Sequence, residues 1–194
     1  MGRWRRLLIP VIRPGEWPEL LRAVLSGILI AATYGVLHDQ VTYTIGPEYF
    51  TNFKFDQFAY ADFAFHDRIF AGLVGVLATW WVGLIAGWLL ARRCLQHMAP
   101  IHARPLIRKG FVIVFACSLL GSISGYAYGL WNGPDADYSG WNWAFSQFAV
   151  TDPWAFMKVA YIHNAGYIGG AIGIASTYVL IRPASTAAAL NTSA

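Results

Sequence analysis

The chain has 194 residues, of which 57% are apolar or aromatic and only 12% are charged, for a formal net charge of +4. Soluble domains carry about twice that charged fraction, and a disordered chain needs low hydrophobicity with many charges. Disorder is thereby excluded, and a membrane protein is expected in place of a water-soluble domain. Cys94 and Cys117 match no zinc, haem or redox spacing, and two cysteines cannot build a disulfide-rich secreted scaffold.

The chain opens with a basic, proline-interrupted stretch, MGRWRRLLIPVIRP, suited to lie among lipid head groups with Trp4 and its arginines. Residues 1–19 are assigned as a cytoplasmic interfacial arm. A cleaved signal peptide is the competing reading, but the basic region extends to Arg22, too long for one, and the segment is taken as retained. Pro18 fits a first helical turn, so the first helix should begin near Trp17.

The apolar residues are gathered into runs near the 18 or so that cross a bilayer as a helix. Spans are expected at about 20–38, 69–91 (IFAGLVGVLATWWVGLIAGWLLA), 110–131 (GFVIVFACSLLGSISGYAYGLW) and 159–181 (VAYIHNAGYIGGAIGIASTYVLI). None shows a polar stripe wide enough to face water. Between the first two lies a long segment crowded with aromatics, among them Tyr43, Tyr49, Phe50, Phe53, Phe55, Phe58, Tyr60, Phe63, Phe65 and Phe70. It is read as a lid over the bundle, the alternative being an apolar surface offered to lipid or a partner. Thr151, Asp152 and Pro153 form a helix start signal, so the fourth helix should run from Pro153. The small, polar tail, 183–194, is expected to be disordered.

The expected fold is therefore all-α: a polytopic membrane protein with a bundle of four transmembrane helices over residues 20–182 and a long, partly structured external loop between helices 1 and 2. Small residues four apart mark each span, as in Gly27/Ala31, Gly83/Gly87, Gly121/Gly125/Gly129 and Gly166/Gly170. Such spacing lets helices approach closely, within one bundle or between copies in a homo-oligomer.

Charge sets the expected orientation. Eleven of the 14 basic residues lie before the first span, between spans two and three, or after span four, whereas eight of the ten acids lie on the other side. By the positive-inside rule both termini should face the cytoplasm. The arginines are topological signals, not a nucleic-acid patch.

Three histidines from three spans, His38, His66 and His163, should approach the outer face at similar depth. Neutral imidazole is the commonest protein metal ligand, and Asp39 or Glu48 could complete a site for iron, copper, manganese or zinc. His66, nearest to water, is the weakest member. Gln40, Thr42, Tyr49, Asn164 and Asp67 are candidate supporting groups. Against a metal, no local His-x-x-x-His or Glu-x-x-His pair is present. The same residues could instead form a polar network tying the segment onto the bundle, with Asp62 and Asp67 serving the start of helix 2.

At the strings His38-Asp39-Gln40-Val41-Thr42 with Glu48-Tyr49-Phe50-Thr51, and His163-Asn164-x-x-Tyr167-x-Gly169-Gly170, the chain resembles uncharacterised multi-pass membrane proteins of bacteria. That resemblance implies that the two strings act together, and it implies no substrate or reaction. The expected function is an outward-facing His/acid site for a metal or small polar ligand; the alternative is a structural or accessory subunit that docks a larger membrane complex through its aromatic segment.

Overall fold

The computed structural model describes residues 12–180. The start of the interfacial arm, Arg182 and the tail expected to be disordered lie outside the described residues. Four long helices dominate: α1 (Trp17–Ile45), α2 (Asp67–Leu95), α3 (Pro100–Asn132) and α4 (Pro153–Leu180). Among the described residues there is no strand. Pro18 stands in the first turn of α1, Pro100 opens α3, and Asp152 Oδ1 accepts the Ala155 N–H at 2.9 Å to cap α4. Proline at a first turn forfeits only a donor that has no helical acceptor anyway.

Three helical stretches are long and apolar enough to cross a membrane: Pro14–Ile45, Asp67–Leu95 and Pro100–Asn132, with mean hydropathies of 1.9, 2.1 and 1.8. At 28 residues α4 is also long enough. Its glycines and the His163-Asn164 pair dilute its hydropathy, and it is not one of the three.

The helices pair as two antiparallel hairpins, α1 with α2 and α3 with α4, and few contacts join one hairpin to the other. Glycine makes each seam. A Cβ on Gly35 would fall on the Gly75 carbonyl, and one on Gly125 would fall on the Tyr161 carbonyl. Each seam also carries a hydroxyl that crosses it: Thr79 Oγ1 donates to the Ala31 carbonyl at 2.8 Å, and Ser118 Oγ to the Gly166 carbonyl at 3.0 Å. The small-residue spacing thus packs helices within the chain; a contact between copies remains a proposal.

The hairpins are joined at their ends. At the arginine-rich end, Glu19 on α1 is buried and accepts from Arg22 at 2.5 Å and from Arg104 of α3 at 2.8 Å. Leu20, Leu90, Cys94, Leu95 and Ile107 pack beside it. At the opposite end Tyr49 and Phe50 pack with Phe145, Phe156 and Met157. Between the two ends lies a cavity of about 110 Å³.

Residues 46–66 form the cover at this second end, through a π-helical turn at Phe50–Lys54 and short helical turns at Phe55–Gln57 and Ala59–Ala61. Phe55 stacks on Phe70 with ring centroids 4.5 Å apart. The two halves of the aromatic segment differ in burial. The first half is a lid; Tyr60, Phe63 and Phe65, at 75%, 71% and 44% exposure, point away from the core.

Candidate functional site

The site begins with the length of α1. The apolar run ends at Leu37, but the helix continues through Ile45, two turns further. His38, Asp39 and Thr42 therefore sit on helix, and the i, i+4 spacing puts His38 and Thr42 on one face. Asp39 and Thr42 are 3% and 1% exposed. The Thr42 hydroxyl donates to the His38 carbonyl at 3.0 Å, which leaves its oxygen free to face α4.

From α4, His163 enters the same space. Its Nε2 lies 3.2 Å from Thr42 Oγ1 and 3.6 Å from Asp39 Oδ1, and its ring centroid lies 4.8 Å from that of His38. One ligand atom each from His38, Asp39 and His163 can be chosen so that all lie within 4.8 Å of one another. Around this trio, Tyr34 stacks on His38 at 5.1 Å, and Tyr49 and Phe50 close over His163 at 5.1 and 6.1 Å. Bulk water is largely kept out, so each polar group here depends on a protein partner or a ligand.

Lys54, from the lid, lines the same cavity as His38, Asp39 and His163. Burial holds its ammonium below the usual lysine range, and the Asp39 charge only partly offsets this. Its Nζ donates to Gln57 Oε1 at 2.8 Å and stands 4.8 Å over the Phe53 ring. Burial likewise raises the Tyr49 phenol above its usual value, with Tyr167 and Asp39 adding to the effect.

The remaining residues expected at the site go elsewhere. Glu48 accepts from the Thr151 hydroxyl, from the Thr151 N–H at 2.9 Å and from the Asp152 N–H at 3.0 Å, so it ties the lid to the start of α4. Partial burial pushes its carboxyl up, but those three hydrogen bonds outweigh it and hold the group below the usual carboxylate range. His66 is exposed at the N-cap of α2, where Nδ1 accepts the Arg68 N–H at 3.3 Å. Gln40 donates to the Arg68 carbonyl at 2.8 Å, and Asp67 accepts from Tyr43 at 3.1 Å. Both join α1 to the start of α2. Asn164 is exposed, one position round the helix from His163. Of the supporting groups, Thr42 and Tyr49 alone touch the trio.

Sequence reasoning overlooked Lys54 and Tyr34 and named Tyr167 only within the second string; all three line the cavity. Tyr34 was within reach, since it precedes His38 by one helical turn. Lys54 stood out only as a lone base among aromatics and acids. The trio has the donor chemistry of the two-histidine, one-carboxylate sets that hold divalent first-row metals. Metal–nitrogen and metal–oxygen bonds near 2.0–2.2 Å require donors closer together than the widest separation here. Both cysteine thiols are free, and neither belongs to the trio. No protein-family model matches the chain, and no curated protein or solved structure shows significant similarity to it.

Proposed function

We propose that the chain is a four-span protein of the bacterial inner membrane, with both termini in the cytoplasm, that binds a divalent transition metal through His38, Asp39 and His163. One observation carries the reading: three metal-competent side chains from two hairpins converge in a largely water-excluded pocket, within 4.8 Å of one another. A buried carboxylate beside two imidazoles is costly unless a cation or proton neutralises the acid; Lys54, which lines the same cavity, offsets part of that charge, and a metal ion bound by the trio would offset the rest. Iron, manganese, copper and zinc all accept this donor set. Thr42 orients His163 from behind, and the arrangement of charged groups along the chain supports the orientation.

The test is elemental analysis of protein purified without added metal or chelator. Stoichiometric metal is expected in the wild type and none in His163→Ala. Thr42→Val should retain the fold and weaken metal affinity about 10–100-fold, as removal of an orienting partner does. Well-folded wild-type protein that holds no metal and takes up none on titration would overturn the reading.

A second reading rests on a different observation. Tyr60, Phe63 and Phe65 are exposed beyond the lid, a surface fitted to dock a larger membrane complex as an accessory subunit. Purification from native membranes would then yield a partner that Phe63→Ser loses; a stable monomer with no partner in the wild type counts against it.

A further inference from the structure

Two guanidinium groups at the arginine-rich end are held side by side by one buried acid. Glu19 Oε2 accepts from Arg22 Nη1 at 2.5 Å and from Arg104 Nε at 2.8 Å, so α1 and α3 each deliver a fork to the same point. The Glu19 side chain is 7% exposed, whereas those of Arg22 and Arg104 are 58% and 49% exposed. The other nitrogens of both forks have no hydrogen-bond partner among the described residues. Two cations against one carboxylate leave the cluster with a single net positive charge. Arg108, one turn along α3 from Arg104 and also exposed, reinforces it. The second acid at this end, Glu16, is committed to Arg13, accepting its main-chain N–H at 3.1 Å with the guanidinium 3.9 Å away.

An apolar groove leads away from this pair. Arg22 lines it together with Leu21, Leu25 and Leu29 on one face of α1. From Arg22 to Leu29 is ~10 Å at 1.5 Å per residue. The three leucines are 57%, 56% and 68% exposed, on a helical stretch long and apolar enough to cross a membrane. A bilayer would lay hydrocarbon along them and head groups beside Arg22. One guanidinium fork takes up both oxygens of a carboxylate, whereas the tetrahedral oxygens of a phosphodiester meet two forks at once. Its single negative charge also matches the cluster. A second copy of the chain fits less well, because a symmetric contact through this face would set arginine pairs against each other. We infer that the arginine end binds one phospholipid whose phosphodiester carries no compensating cation, with the phosphate between Arg22 and Arg104 and an acyl chain along Leu21, Leu25 and Leu29. This site lies at the opposite end of the bundle from His38, Asp39 and His163 and is independent of any metal there.

The experiment is native mass spectrometry of delipidated full-length protein in detergent, offered phosphatidylglycerol, phosphatidylcholine and a free fatty acid of one acyl-chain length. One phosphatidylglycerol per chain should be retained, in preference to each of the others by about tenfold, the discrimination of one charge-assisted hydrogen bond. Arg22→Gln and Arg104→Gln should each lower that preference about tenfold, with circular dichroism reporting that the helices persist. Lys109→Gln removes the same charge from an exposed position on another face of α3 and should leave retention unchanged. Soluble glycerol 3-phosphate should fail to displace the lipid. Equal retention of the three probes by the wild type overturns the inference, as does an equal loss in Lys109→Gln, which would reduce it to bulk charge. Displacement by glycerol 3-phosphate overturns it in favour of a free-phosphate site, and a stable dimer that excludes the lipid overturns it in favour of a second copy. None of these outcomes alters the metal reading.

Discussion

Glu48 shows how one side chain decides where the lid ends. Its carboxylate takes the N–H groups of Thr151 and Asp152 just ahead of α4, where the helix dipole also favours negative charge. Because its folded-state proton affinity is lowered, its contribution is fully present above the ordinary carboxylate pKa of about 4.3 and is lost as pH falls through the lower folded value. Hydrogen exchange of residues 46–57 should therefore accelerate on acidification below about pH 4.3. Glu48→Gln should show the faster exchange already at pH 7, with the α1–α2 seam still protected. Unchanged protection in Glu48→Gln would remove Glu48 from the lid's attachment. At this scale sequence reasoning grouped His38, Asp39 and His163, which the structure brings together, and added Glu48, which the structure pairs with Thr151 and Asp152 instead. A carboxylate near two histidines in sequence is equally suited to ligation and to capping, and only the position of Thr151 across the bundle, 103 residues away in sequence, distinguishes them.

The helices were legible where the hydrocarbon dictates their composition and illegible where packing does. Pro18 and Pro153 mark their helix starts in the sequence as in the structure. The end of α1 was placed at about 38 because Asp39 and Gln40 interrupt the apolar run. The helix persists to Ile45 because Gln40, Tyr43 and Thr44 bond to the start of α2, and Asp39 and Thr42 face His163. Tertiary partners, invisible to periodicity, satisfy the groups that hydropathy reads as a boundary. The seams give a sharper expectation. Gly75→Leu must push two backbones apart and should destabilise by about 1–3 kcal/mol or more, as overpacking does. Gly72→Ala would place its Cβ no closer than 3.4 Å to the Gln40 amide and should be nearly neutral. Thermal unfolding in detergent distinguishes the two, and equal loss in both would argue that the seam is not packed as described.

At the scale of the molecule, the scarce charges predict which end faces which compartment. The arginine end holds Arg22, Arg92, Arg93, Arg104 and Arg108, and the histidine end holds the lid. Reporter fusions at Gly140 should be active only in the periplasm, and fusions at His97 only in the cytoplasm. The reverse pattern would invert the orientation and place the trio on the inside. Two hairpins, each zipped at the backbone, meet mainly at the Glu19 cluster, the Tyr34–Ser122 hydroxyl contact at 3.0 Å, and the histidine end. Cutting the chain at the turn between α2 and α3 therefore severs little besides one peptide bond. Two separately expressed halves, 1–97 and 98–194, should insert independently and then find one another. Since His38 and Asp39 belong to the first half and His163 to the second, metal recovered from the mixed halves but from neither alone would make the bound ion a rivet between two self-sufficient pieces.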